Sequence, residues 1–440
     1  MTMKNGSDVA VAACVCLAMV VTVGVRRAEA VSWTEEARLS ASDAAQEDLF
    51  GVATSITGTT ALVGSYKDDD KGTESGSAYI YEKSGGTWSQ VKKLTANDGY
   101  QYDYFGLAVC VSETTAIVGA YGDDDKGGKS GSAYIYEKDG TWSFADKVTA
   151  LDGEGDDRFG RSVYIDGTMA IVGAHGDDSS AGSAYIFEKD GDTWSQIAKL
   201  TADDRAASDQ FGYAVAIDDK RAVVGAYGHE ESGGDATGAA YIFEDNGTDW
   251  VQVAKLTATD AEDRDFFGRS ICVEDTRVLV GTDYDHHSDA EDAGSAYIFE
   301  KSGDTWSEVA KLIASDADDD DHFGIAVSLS GSRALIGAYT DDVDGSTDAG
   351  SAYVFQDNGT AWVQVAHLIS DNTAAGDRFG RGVGLDGTTA LIGADKHDDP
   401  ATDAGVAYIF TTPIPEPATL LLVGTGTLGI LGFIRRRRIG

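Results

Sequence analysis

Residues 159–200 read FGRSVYIDGTMAIVGAHGDDSSAGSAYIFEKDGDTWSQIAKL. In 159–165 large apolar side chains alternate, with Val163 and Ile165 on one side, as a half-buried strand requires. Asp166-Gly167 follows and signals a hairpin, because both central residues of that turn need positive φ. Residues 169–174, MAIVGA, form a short apolar strand, and the polar stretch HGDDSSAG separates it from SAYIFEK, which is rich in aromatic and β-branched residues. A second tight turn, Lys-Asp-Gly-Asp, leads into TWSQIAKL, where Trp194, Gln196, Ala198 and Leu200 share one face. The segment predicts four short strands joined by Gly/Asp turns, with no helical period.

The same pattern recurs seven times. Tryptophans stand at 33, 88, 142, 194, 250, 306 and 362, and Phe-Gly pairs begin at 50, 105, 159, 211, 267, 323 and 379. A glycine follows the first by 13 residues in every copy, from Gly64 to Gly393, and tyrosines fall at 79, 134, 185, 241, 297, 353 and 408. A four-stranded unit repeated seven times buries both its faces only by stacking in a ring. The expected fold is all-β, a seven-bladed β-propeller of four-stranded blades. The chain begins this pattern with a lone outer strand at Trp33 and ends it after the strand of Tyr408. The N-terminal strand is therefore expected to complete the last blade, which removes an exposed edge.

Both ends differ from the repeats. Residues 9–25 are an apolar run after Lys4, and Ala28-Glu29-Ala30 fits a cleavage site, so 1–30 read as a signal peptide cut after Ala30, with Arg26-Arg27 an unusual feature. The propeller takes residues 31–412. Residues 413–440 are a separate tail: Pro415-Glu416-Pro417, an apolar segment at 418–434 with transmembrane character, then Arg435, Arg436, Arg437 and Arg438, which would stop on the cytoplasmic side. Cys110 and Cys272 lie in non-adjacent blades, so no disulfide is expected between them. They read as small buried residues, as Ser55, Ala216 and Gly384 do at equivalent positions.

Without 1–30 and 415–440 the chain carries 27 basic and 71 acidic residues. In an up-and-down blade, the loop between the second and third strands opens on the same face as the connection to the next blade. Those two sets of loops hold 48 acids and 9 bases, which places nearly all the net charge on one face. Such a face concentrates cations and disfavours nucleic acid and anionic membrane. An aspartate recurs two residues before each Phe-Gly, from Asp48 to Asp377. Another recurs seven before it, at 43, 98, 152, 204, 260 and 316, with Asn372 in the last copy. Recurrence in every blade points to structure, with the carboxylates accepting backbone N–H groups. The loops between second and third strands vary more. Asp283, Asp285 and Asp289 in blade 5, beside His286 and His287, and Asp342, Asp344 and Asp348 in blade 6 are the candidate metal ligands, calcium first. His175, His229 and His397 stand in corresponding loops, where histidine with carboxylate suits a transition metal, but no defined spacing is present. The tryptophans sit on a regular strand in every copy, which favours packing between blades over stacking on sugar.

The repeat resembles FG-GAP, the unit of integrin α-subunit propellers and of many bacterial surface proteins: Phe-Gly in all seven copies, with Val63-Gly64-Ser65, Val118-Gly119-Ala120, Val280-Gly281-Thr282 and Ile336-Gly337-Ala338 at the second signature. The resemblance covers residues 33–410. It departs in one respect: the hairpins that carry DxDxDG calcium loops in integrins are here only turns, such as Asp166-Gly167 and Asp386-Gly387, so those calcium sites do not carry over. The tail resembles the PEP-CTERM sorting signal, which implies export, an exosortase-type processing enzyme and removal of the tail near the motif. Together the resemblances imply an exported cell-surface or extracellular-matrix binding or adhesion protein, non-catalytic, with the membrane engaged only through the tail before processing. Its partners would be divalent cations, matrix polysaccharide or cationic surface proteins. A lectin-like polysaccharide-binding module, and beyond it a polysaccharide hydrolase or lyase, are the alternatives. No GxSxG, HExxH or P-loop motif occurs.

Overall fold

The structure, a computed structural model, describes residues 32–230, 235–287 and 290–412. The expected signal peptide, the Pro-Glu-Pro tail with its apolar segment and arginines, and Asp289 lie outside the described residues. Among the described residues no helix is long and apolar enough to cross a membrane.

Among the described residues twenty-eight strands form seven four-stranded antiparallel sheets, each paired in sequence order except the last. Blade 3 is Ser162–Asp166, Met169–Ala174, Ser183–Asp190 and Thr193–Leu200. Blade 7 takes Phe379–Asp386, Thr389–Ala394 and Val406–Thr411 from the C-terminal end and Thr34–Leu39 from the N-terminal end. Thr34 faces Thr411 and Leu39 faces Ala407, so the clasp is antiparallel.

The signature glycines explain the repeat. A Cβ on Gly119 of blade 2 would lie 1.9 Å from the carbonyl oxygen of Gly160, the Phe-Gly glycine of blade 3. Gly160 itself sits at φ +88, where side chains are strained. The same interlock joins every neighbouring pair and closes between Gly393 and Gly51. Backbone thus touches backbone at each blade boundary, which only glycine permits. The positive φ also differs from the sequence expectation: in blade 3 the first strand starts at Ser162, because Phe159-Gly160 turns the chain before it extends. Each Phe is buried beside two aromatic rings of its own blade; Phe159 lies 5.6 Å from Tyr185 and 5.9 Å from Phe187. The buried side chains fall into seven clusters, each shared by adjacent blades, such as Cys110 and Ile135 with Val163 and Phe187.

The outermost strand carries a bulge in each blade, between Ile186 and Phe187 on the partner strand in blade 3 and between Glu35 and Ala37 in the borrowed strand. The bulge interrupts regular pairing next to an otherwise open edge. Near the axis, the end of the first strand in blades 3 to 7 accepts a hydrogen bond from the turn of the next blade: Asp166 from Asp219 N–H, Asp218 from Asp275 N–H, Glu274 from Gly331 N–H, Ser330 from Gly387 N–H and Asp386 from Gly58 N–H. Asp166 and Asp386 are therefore blade-to-blade latches. Cys110 and Cys272 are free and buried, and Cys272 Sγ accepts the N–H of Leu329 in the next blade.

The loops between second and third strands and the connections between blades open on one face, the loop face; the tight hairpins form the other. Both described ends of the chain leave from the hairpin face, since Thr34 and Thr411 pair there and Thr412 N–H reaches Thr388 in the first hairpin of blade 7.

Candidate functional site on the loop face

Four groups meet on the loop face in blades 1 to 6: the recurrent aspartate of the preceding connection, an acid or histidine of the loop, the tyrosine of the third strand, and a lysine or histidine at the end of the fourth; in blade 7 Asn372 replaces the aspartate. In blade 2 the Lys147 ammonium lies 2.8 Å from Asp98, 2.9 Å from Asp123 and 2.5 Å from Asp125. Tyr134 Oη donates to Asp98 and Asp123, both at 2.8 Å. Blade 1 repeats this with Lys93, Asp43, Asp68, Asp70 and Tyr79. Lys199 bridges Asp152 and Asp177, and Lys311 bridges Asp260 and Asp285. In blade 4, Lys255 bonds Asp204 and lies 2.9 Å from His229 Nε2. Burial works against the carboxylates of Asp43, Asp98, Asp152, Asp204 and Asp260, but the lysines lead the interactions that outweigh it and hold them below the usual range.

The carboxylates of Asp43, Asp68 and Asp70, and of Asp98, Asp123 and Asp125, cluster as metal ligands would. Each cluster already surrounds an ammonium. These residues, as arranged, do not fit calcium, because the position a cation would take is filled from within. Blade 6 differs. There His367 replaces the lysine, 3.3 Å from Asp316 and 3.6 Å from Asp341, stacked on Tyr353 at 4.6 Å. A pocket of about 360 Å³ opens beside it, lined also by Asp318, Asp342 and Asp344. Carboxylate oxygens there outnumber the cationic groups, and hard oxygen donors suit calcium.

The aspartates two before each Phe-Gly behave as the recurrence predicts. All seven accept the backbone N–H three residues earlier, from Ala45 to Asp48 at 2.6 Å through Ala374 to Asp377 at 2.7 Å. Burial pushes Asp48 and Asp103 up to about 6, and Asp265 and Asp321 up to about 7. The aspartates seven before it do something else: Asp43, Asp98, Asp152, Asp204 and Asp260 hold lysine, and Asp316 holds His367.

The centre of the loop face gathers arginines. The residue after each Phe-Gly lines the mouth of the axial channel, and in three blades it is arginine: Arg161, Arg269 and Arg381. Arg158 and Arg378, just before Phe-Gly in blades 3 and 7, stand beside them. Aromatic rings make the wall. Tyr213 lies 4.5 Å from Tyr227, Tyr227 is 5.5 Å from Phe266, and Phe266 is 5.2 Å from Tyr284; His322 and Tyr339 continue the arc. Guanidinium groups lie over these rings, Arg161 at 4.5 Å from Tyr213 and Arg381 at 5.5 Å from Tyr339. Deeper in the channel, of about 490 Å³, Tyr164 is the one large side chain at the level of Cys110 and Cys272. It packs against the cores of blades 2 to 5.

The FG-GAP repeat profile matches residues 33–81, 88–136, 142–187, 194–243, 250–299, 306–355 and 362–410. The chain belongs to the FG-GAP repeat family. A second profile, the PEP-CTERM protein-sorting motif, matches residues 413–438. No curated protein matches the chain.

Within this FG-GAP propeller the metal candidates read from sequence do not meet at one point. Asp283 turns to the axis, 3.2 Å from Arg269, and Asp285 turns outward to Lys311. Asp342 accepts the N–H of Asp348, which has φ +52, so this pair closes its loop. Asp69 and Glu74, and Asp124 and Lys129, close the loops of blades 1 and 2 in the same way. Asp344 is exposed and faces the blade 6 pocket. His175 lies at the axial mouth, 3.4 Å from Arg158, whereas His229 and His397 bond Asp209 and Asp377. The tryptophans pack between blades as expected: Trp142 Nε1 donates to Glu82 of blade 1, and Arg277 of blade 5 covers Trp362 of blade 6. The strongly acidic face expected from the loops also carries cations from outside them. Counting loop residues alone omits the lysines, which belong to the fourth strands but end on this face. It also omits the arginines that follow Phe-Gly, which meet only when the ring closes.

Proposed function

We propose that this FG-GAP propeller is an exported cell-surface binding protein, non-catalytic, whose loop face meets its partner in adhesion or matrix assembly. The observation that carries this reading is the exit of both chain ends from the hairpin face. A signal peptide ending at Ala30 and a sorting tail beginning near Pro415 would then attach on the side away from the charged loops. The propeller would stand with its loop face outward until an exosortase-type enzyme removes the tail at Pro415-Glu416-Pro417. The internal lysine bridges support the same reading, since they fix the loops before any partner arrives and lower the ordering cost of binding.

Calcium enters this reading at blade 6, where Asp316, Asp341, Asp342 and Asp344 surround a histidine in place of lysine. One experiment tests both parts. Cells expressing the full chain, or a chain lacking 413–440, are fractionated and assayed for attachment to matrix with calcium or chelator. The reading expects surface protein and attachment with the full chain, neither with the truncated one, and reduced attachment in His367→Lys. Full-length protein confined to the cell interior, or attachment indifferent to the protein, would overturn it.

A further inference from the structure

The chain has 74 acidic and 34 basic residues, yet Arg158, Arg161, Arg378 and Arg381 converge on the axial mouth with no carboxylate within salt-bridge distance among the described residues. On the same face the fourth-strand lysines Lys93, Lys147, Lys199, Lys255 and Lys311 are held by aspartates. Among the described residues the Arg161 guanidinium donates to a phenol, Tyr213 Oη, at 2.8 Å. A guanidinium that lies on an aromatic wall and lines a cavity can offer parallel hydrogen bonds to a carboxylate. The site also holds buried polar atoms with no partner: Asp395 Oδ1, in a residue 3% exposed, and His175 Nδ1, in a residue 4% exposed. An orphaned carboxylate oxygen beside unpaired arginines calls for a ligand that donates as well as accepts, a hydroxyl next to a carboxylate. Flat rings of tyrosine suit the apolar face of a pyranose.

We propose that the axial mouth binds a small acidic saccharide, its carboxylate held by Arg161 and Arg381, a hydroxyl by Asp395, and its ring face by Tyr213 and Tyr339. The surrounding aspartates form an acidic rim that repels long polyanions and admits a chain end or a single sugar. Tyr164 stands in the bore below, so the ligand enters and leaves by the loop face. The proposal rests on the reading of this chain as a binding protein, and names the ligand class for that face.

The test is calorimetric titration of the full chain in detergent with galacturonic acid, galactose and acetate. Galacturonic acid is expected to bind at least about tenfold more tightly than either control, because charge-assisted bonds and stacking act together. Arg161→Gln and Arg381→Gln should each weaken it about tenfold, and Arg161→Lys should restore only part. Melting curves identify any variant that fails to fold; Tyr339→Ala then serves as a second probe of the same site. No binding of galacturonic acid at millimolar concentration would overturn the proposal. So would equal binding of acetate, or binding indifferent to both arginines. Because the readout is binding and not attachment, a failure here leaves the adhesion reading standing. Loss of attachment with intact sugar binding would do the reverse.

Discussion

At the residue scale, the lysine of each cage behaves as an internal counter-ion. Lys147 contacts three carboxylates, of which Asp123 is nearly buried. Replacing it with methionine leaves that charge uncompensated, and about 2 kcal/mol of stability should be lost, discounted for the half-open setting. The same variant vacates a position ringed by oxygens. Lys147→Met should therefore gain several degrees more in melting temperature on calcium addition than the unaltered protein does, by linkage of binding to folding. Calorimetry with calcium, magnesium and chelator checks both parts. Gly119→Ala is a second residue-scale case. Its Cβ would meet the Gly160 carbonyl at 1.9 Å, so the boundary between blades 2 and 3 must part, at a cost of about 2 kcal/mol measured by denaturant titration.

At the scale of elements, the closing blade depends on a strand from the other end of the chain. Removing residues 33–39 leaves its sheet with three strands and uncovers Ile409 and Phe410. The shortened chain should self-associate on size-exclusion chromatography and lose its cooperative melt. This closure was legible in sequence, because the first copy supplies only an outer strand and the last lacks one. So were the four strands, their turns and the structural role of Asp48 and its six equivalents. What sequence concealed was convergence. Arg161, Arg269 and Arg381 are more than 100 residues apart in pairs, and their shared position was visible only as the variable residue after Phe-Gly: Val52, Leu107, Arg161, Tyr213, Arg269, Ile325, Arg381. Reading that column by itself would have found them. Asp283 and Asp285 of blade 5 part in space for a related reason. They stand two apart in sequence, but the chain turns between them, the Asp285 N–H donating to the Thr282 carbonyl, so one faces the axis and the other the rim.

For the whole molecule, stability should depend on pH in two opposed ways. The folded protein raises the carboxyls of Asp48 and Asp103 to about 6 and of Asp265 and Asp321 to about 7. Between the unfolded value near 4 and these values the folded state binds more protons, so stability rises as pH falls from 7 toward 5. The caged carboxylates Asp43, Asp98, Asp152, Asp204 and Asp260 are shifted the other way. Their contribution, present above the unfolded value, is lost as pH falls below about 4. The melting temperature should therefore pass through a maximum on the mildly acidic side of neutral; a melting temperature that climbs steadily from pH 5 to 8 would contradict the assignment.

The borrowed strand has a mechanical consequence. The chain leaves the propeller through Val406–Thr411, which lies between Thr389–Ala394 on one side and Thr34–Leu39 on the other. A pull on the C-terminal end therefore runs along a strand held on both flanks, and its hydrogen bonds are loaded together in shear instead of peeling one at a time. A protein tethered there in flowing liquid would carry the drag on its closing blade, and that blade is built so that the load tightens against two neighbours before either can yield.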